Sequence, residues 1–221
     1  MSFGSAFPAL SGVAAVFCSI LNAQSTDVKD LAAGKVLVMQ QPALDPAFAE
    51  SVILLIQYGA DGVVGLMLNR PADVPLSRLR DLPGTSNRSD PIYVGGPVET
   101  DQVTALVRAP KAPPEGIHVA ANVYAVVTRG GLEAALKASK GPDDLRIFLG
   151  YCGWNIPQLQ NEMKYNGWYI FDHGERFALD STPRTLWKRL TEQTGLRVEF
   201  APATLAAIFP ARRRYRSGSA E

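Results

Sequence analysis

Residues 51–58 (SVILLIQY) and 63–68 are apolar runs rich in β-branched side chains, and Gly59-Ala60-Asp61-Gly62 stands between them. Asp-Gly favours a tight reversal because glycine adopts positive φ without strain, so two strand-like runs around it predict a β-hairpin. A hairpin commits the chain to an antiparallel sheet. Other short runs can extend that sheet: 36–39 after Gly34-Lys35, 92–94 before a chain reversal at Gly95-Gly96-Pro97, an alternating 102–108, then 123–128, 145–149, 168–171 and 197–200. Loops are expected at 42–46, 84–90 and 109–116, the last containing three prolines.

Helical signals are fewer. Residues 76–82 suit one or two turns, and 132–139 suit a helix closed by Gly141-Pro142. Leu145–Leu149 runs directly into Gly150-Tyr151-Cys152-Gly153-Trp154, which reads as a turn leading into a helix. Asn155 is placed to cap that helix, with Gln158 three residues on in a capping-box arrangement and Pro157 in the first turn. Thr182-Pro183 opens a last amphipathic helix with Leu186, Trp187 and Leu190 on one face and Gly195 past its end. Hairpin signals early and strand–helix alternation late predict an α+β fold. The expectation is a single compact domain with a mixed, largely antiparallel sheet and flanking helices.

The chain has 221 residues, 47% of them hydrophobic, enough for one domain with a sizeable core. That domain is placed at 31–210, between an N-terminal extension (1–30) and a basic tail (211–221) expected to be disordered. Residues 7–21 (FPALSGVAAVFCSIL) are apolar but shorter than the roughly 20 residues a membrane-spanning helix needs. With Leu21-Asn22-Ala23 behind them they suit a signal peptide cleaved near Ala23, although residues 1–6 carry no Lys or Arg. Export to the periplasm or the cell exterior is therefore the expectation. The alternative is an apolar extension on a cytoplasmic protein.

The formal net charge of +1 argues against whole-surface contact with nucleic acid or anionic membrane. Two cysteines, Cys18 and Cys152, two histidines and no C-x-x-C spacing give no basis for a metal site, and no sequence pattern points to a cofactor. No phosphate-binding loop and no G-x-S-x-G elbow is present.

Each candidate site has a structural alternative. Cys152 at a helix start could be a low-pKa nucleophile, or a small residue packed under Trp154. Gln158 and Glu162 share a helix face, where Glu162 could act as a base or simply be a surface charge. Arg70, after Asn69 and before Pro71, could take an anion or make a structural ion pair. Arg212, Arg213, Arg214 and Arg216 around Tyr215 could touch nucleic acid or lipid, or be a solvated end.

Several of these segments resemble the YqgE/AlgH family. The matching residues are Gly34-Lys35-Val36-Leu37-Val38, Pro42-x-x-x-Asp45-x-x-Phe48-x-x-Ser51-Val52, Gly65-x-x-Leu68-Asn69-Arg70-Pro71 and Tyr93-x-Gly95-Gly96-Pro97-Val98. They continue through Gly150-Tyr151-x-Gly153-Trp154-x-x-x-Gln158-Leu159-x-x-Glu162 to Trp168 and Trp187, so the resemblance spans residues 31–195. It implies a single α+β domain, usually cytosolic, with no established enzymatic activity and a transcriptional-regulator label inherited from one member. It transfers no catalytic residues, and Cys152 stands where the family more typically has alanine.

These readings rank a non-enzymatic regulatory or ligand-binding protein first. Its tentative surface is Asn69, Arg70, Gly95, Gly96, Trp154, Gln158 and Glu162, and its partner is a small ligand or a protein. An enzyme using Cys152 or Glu162 comes second, and a nucleic-acid binder acting through the tail third.

Overall fold

The computed structural model describes residues 24–40, 45–165 and 167–193. Among these, eleven strands form one connected, largely antiparallel sheet with three α-helices, an α+β arrangement. The strands are β1 (Gln24–Ser25), β2 (Val36–Met39), β3 (Val52–Gly59), β4 (Gly62–Met67), β5 (Pro71–Pro75), β6 (Pro91–Val94), β7 (Val98–Arg108), β8 (Ile117–Ala120), β9 (Val123–Val126), β10 (Leu145–Trp154) and β11 (Trp168–Phe171). The helices are α1 (Arg129–Ala138), α2 (Ile156–Lys164) and α3 (Leu186–Gln193). The main path runs β1-β11-β2-β3-β4-β10-β7-β9-β8, with β6 alongside β10 and β5 alongside β6.

The hairpin closes where Asp61-Gly62 places it, with Gly59 opposite Gly62. Strand alternation then sorts the core. Val36, Val38, Val52, Leu54 and Leu66 face one cluster that also takes in Phe148, Phe171, Leu186 and Leu190. Leu37, Ile53, Leu55 and Met67 face the opposite side, where α2 contributes Leu159 and Met163. Farther along that side Ala105, Val107 and Ile147 meet Leu132 and Leu136 of α1. The sheet curls and brings β8 back to the start of β2: a Cβ on Gly34 would lie 2.7 Å from the Val119 carbonyl oxygen.

The segment Gly150–Trp154 is not a turn. β10 continues straight through it to Trp154. Its first half pairs antiparallel with β7 and parallel with β6, and Cys152–Trp154 pairs antiparallel with β4. Gly150, at φ +69°, sits at a register shift between the two halves. Leu149 stands opposite Val103 but Tyr151 opposite Val98, and across this irregularity the side-chain parity of β10 flips. Accordingly Leu145 and Ile147 share their side of the sheet with Cys152 and Trp154, while Phe148 and Tyr151 share the other. Two glycines three residues apart, Gly150 and Gly153, read as a reversal in sequence, and only the pairing of Tyr151 to β7 and of Cys152–Trp154 to β4 shows that the strand continues.

Other elements differ in extent. Gln24–Ser25, placed in the extension by sequence, pairs with Ile170 and Phe171, so the folded region begins before Leu31. The helix expected at 76–82 is a single 3-10 turn, Leu76–Arg78. α1 starts at Arg129 because the Thr128 hydroxyl caps it, accepting from the Gly131 N–H. β5 and β8 lie outside the expected strands: β5 is bounded by Pro71 and Pro75, and β8 is four residues long with only Val119 buried. The apolar segment 7–21, Gly195, residues 197–200 and the arginine-rich tail lie outside the described residues.

Candidate functional site

Most of the singled-out residues meet around one segment, 45–52. Asp45 opens it by accepting from the Ala47 N–H at 2.8 Å, which caps a 3-10 turn, Pro46–Phe48. The fully buried Ser51 closes it, its hydroxyl donating to the Phe48 carbonyl at 2.7 Å. The Asn69 Oδ1 accepts from the Val52 N–H at 3.0 Å, and its Nδ2 donates to the Glu50 carbonyl at 2.8 Å. Arg70 Nη2 donates to the Ala49 carbonyl at 2.6 Å. These bonds hold Glu50 in the left-handed region at φ +54°, which a non-glycine residue adopts only when its surroundings fix it.

From the other side, the Phe48 ring lies 5.9 Å from both Trp154 and Trp168, which meet edge-on at 6.1 Å. Glu162 on α2 locks this aromatic group. Its Oε2 accepts from the Trp168 indole N–H at 2.9 Å and the Trp154 indole N–H at 3.3 Å. Its Oε1 accepts from Gln158 Nε2 at 3.3 Å. Asn155 caps α2, accepting from the Gln158 N–H at 2.8 Å, while the Gln158 side chain turns to Glu162 rather than back to the cap.

Gly95 and Gly96 pack against the backbone of β10. A Cβ on Gly96 would stand 2.5 Å from the Cys152 nitrogen, one on Gly150 would stand 2.5 Å from the Gly96 oxygen, and one on Gly95 would overlap the Gly150 carbonyl. No ligand fits into so close a crossing, so these glycines serve chain packing. Cys152 beside them is fully buried, and its Sγ–H donates to the Gly95 carbonyl at 3.4 Å. Burial drives its pKa far above the usual thiol range, against a smaller opposing pull from Arg70. That is the reverse of what a thiolate nucleophile needs.

Open space lies elsewhere. Asn69 and Arg70 line a recess of about 330 Å³ with Glu50, Pro71, Val94 and Arg184. Adjoining it through Pro71 and Arg184 is a recess of about 520 Å³, reached by Tyr93, Arg146 and the 181–185 segment. Of the seven site residues proposed from sequence, only Asn69 and Arg70 line either recess. Trp154, Gln158 and Glu162 gather instead at Phe48.

A family model described as AlgH-like matches residues 36–199. The chain belongs to the AlgH-like family. A UPF0301 protein of Paracoccus denitrificans is 30% identical over 172 residues, spanning 74% of this chain and 90% of that protein. A UPF0301 protein of Caulobacter vibrioides is 30% identical over 177 residues, 77% of this chain and 91% of that one. The solution structure of the AlgH protein from Pseudomonas aeruginosa superposes with a TM-score of 0.61 at 23% identity, covering 77% of this chain and 93% of that chain. A crystal structure of a protein from Corynebacterium diphtheriae gives 0.60 at 21% identity, covering 74% and 87%. At these identities the likeness to the solved structures speaks to the fold alone.

In this AlgH-like domain the motif residues named above therefore build a clamped segment and a strand crossing. Sequence reasoning missed Arg146. It is 4% exposed, and it interrupts the otherwise apolar Leu145–Leu149. An arginine inside a buried strand run was the available signal.

Proposed function

We propose that this AlgH-like protein is a non-enzymatic binding protein that holds a small ligand, or a small group of a partner, on the face where the two recesses adjoin. The observation that carries the reading is that the two recesses share Pro71 and Arg184, so that Arg70, Arg184 and the buried Arg146 all line one stretch of the molecule. Concave, largely preformed sites with a few polar groups are where small ligands bind. Supporting binding over thiol chemistry, Cys152 is sealed in the core and held as the thiol. A regulatory role follows if the occupant alters what this face contacts.

The test is a fragment screen of the full chain by amide-resolved NMR, using small anionic, neutral and cationic molecules. Saturable shifts are expected at residues 69–73, 93–94 and 181–185. Shifts confined to other surfaces, or none at all, would refute the reading.

A further inference from the structure

The larger recess has a chemistry of its own, and the inference rests on the binding reading above. Arg146 belongs to β10, and its Cζ lies 4.9 Å from the centroid of the Tyr93 ring. Its Nη2 donates to the Asp180 carbonyl. Its Nε and Nη1 are buried without a hydrogen-bond partner among the described residues. One oxygen of the Asp180 carboxylate, Oδ1, is taken by other donors. It accepts from Arg189 at 2.5 Å, from the Thr182 N–H at 2.8 Å and from the Thr182 hydroxyl at 3.2 Å. Burial of Arg146 pulls its pKa down, as expected for a cation short of acceptors.

A guanidinium keeps its charge and carries five N–H donors, so buried donors without acceptors on it are costly unless another group completes them. The recess beside Arg146, about 520 Å³, is the size of a small-molecule site. Its charged lining residues are Arg146 and Arg184 against Asp73 and Asp143, a formal sum of zero. Arg184 is paired with Asp73 at 2.9 Å on the exposed rim. One cation, Arg146, is thus left with a hydrogen-bonding deficit, while Asp143 stands against a second negative charge. The rings of Pro71, Pro91, Pro142, Pro183 and Tyr93 supply rigid apolar walls.

We propose that this recess binds a small organic monoanion, a carboxylate on an apolar body, with Arg146 donating to the carboxylate and the proline and tyrosine rings packing on the body. A phosphate dianion fits less well, because it brings a second negative charge past Asp143 and leaves the apolar walls uncovered.

Sodium benzoate, benzamide and inorganic phosphate, titrated separately into the full chain and followed by amide NMR, test the assignment. Benzoate should bind saturably beside Tyr93 and residues 181–185, with benzamide and phosphate weaker by about tenfold or more. Arg146→Met should abolish the benzoate response while the unfolding transition stays cooperative. Asp143→Asn, an exposed change that leaves the core intact, should tighten benzoate about two- to threefold at low salt. That gain cannot come from misfolding. Equal binding of benzamide, or of phosphate, at this recess would overturn the carboxylate assignment and leave the binding face standing. No probe binding anywhere on the face would sink both. An Asp143→Asn variant with weaker or unchanged affinity would also count against the assignment.

Discussion

Glu162 offers a direct measure of what the motif residues are for. If its role is to accept from two indoles, Glu162→Ala removes the acceptor at 2.9 Å from Trp168, which is 1% exposed, and at 3.3 Å from Trp154, which is 6% exposed. A hydrogen bond to a charged acceptor contributes about 1.5–3 kcal/mol, and a buried donor left unpaired costs on the order of 1–3 kcal/mol. Counting the short bond near the middle of that range and the longer one at its foot gives a loss of about 2–4 kcal/mol. For a domain of this size the midpoint of thermal unfolding should fall by roughly 5–15 °C. Glu162→Gln keeps a carbonyl oxygen in the same place without the charge and should lose about half as much. The assay is urea and thermal unfolding followed by tryptophan fluorescence, since Trp154 and Trp168 are two of only three tryptophans. A loss below about 0.5 kcal/mol for Glu162→Ala would refute the reasoning, because it would mean the indoles do not depend on this carboxylate.

Asn69→Ala leaves the amide of Val52, a fully buried residue, without its acceptor; it should cost about 1–3 kcal/mol and speed hydrogen exchange at Val52, and unchanged protection there would count against the clamp. In a Cys18→Ser background, iodoacetamide should reach Cys152 only as fast as the chain unfolds; rapid labelling of the native protein below about pH 8 would contradict its burial. Because the folded-state pKa of Cys152 is raised, its contribution to stability is fully present below the unfolded thiol value of about 8.5 and declines as pH rises above it. Cys152→Ala should therefore show a shallower loss of stability on the alkaline side. Gly150→Ala puts a Cβ at φ +69° and 2.5 Å from the Gly96 oxygen, and should cost about 2–4 kcal/mol, whereas Gly141→Ala, with open space around it, should stay within about 0.5 kcal/mol of wild type; equal effects would refute the strand-crossing account.

How much was legible in the sequence follows how local each feature is. The β3–β4 hairpin could be read because Asp61-Gly62 and its flanking runs carry the whole signal. The Asn155 cap could be read for the same reason, because cap and first turn are neighbours in the chain. The site could not. Asn69 and Arg70 looked like ligand groups, yet most of their hydrogen bonds go to the backbone of residues 49–52, and Glu162 looked like a free carboxylate until Trp154 and Trp168 were brought to it.

The sequence by itself determined the α+β class, the strands with strong apolar periodicity, the helix capped by Asn155 and the family. All of these depend on residues a few positions apart, or on motifs that survive as linear text. By contrast, Thr182-Pro183, expected to open the last helix, forms a 3-10 turn ahead of α3. The tertiary structure alone decided that Gly150 lies at a register shift inside a ten-residue strand, that Cys152 is sealed in the core, and that Arg146 lies against Tyr93 with donors still unfilled. Burial and hydrogen-bond satisfaction are properties of a neighbourhood assembled from distant segments. An arginine between two apolar residues becomes informative only when the fold shows which acceptors reach it and which do not.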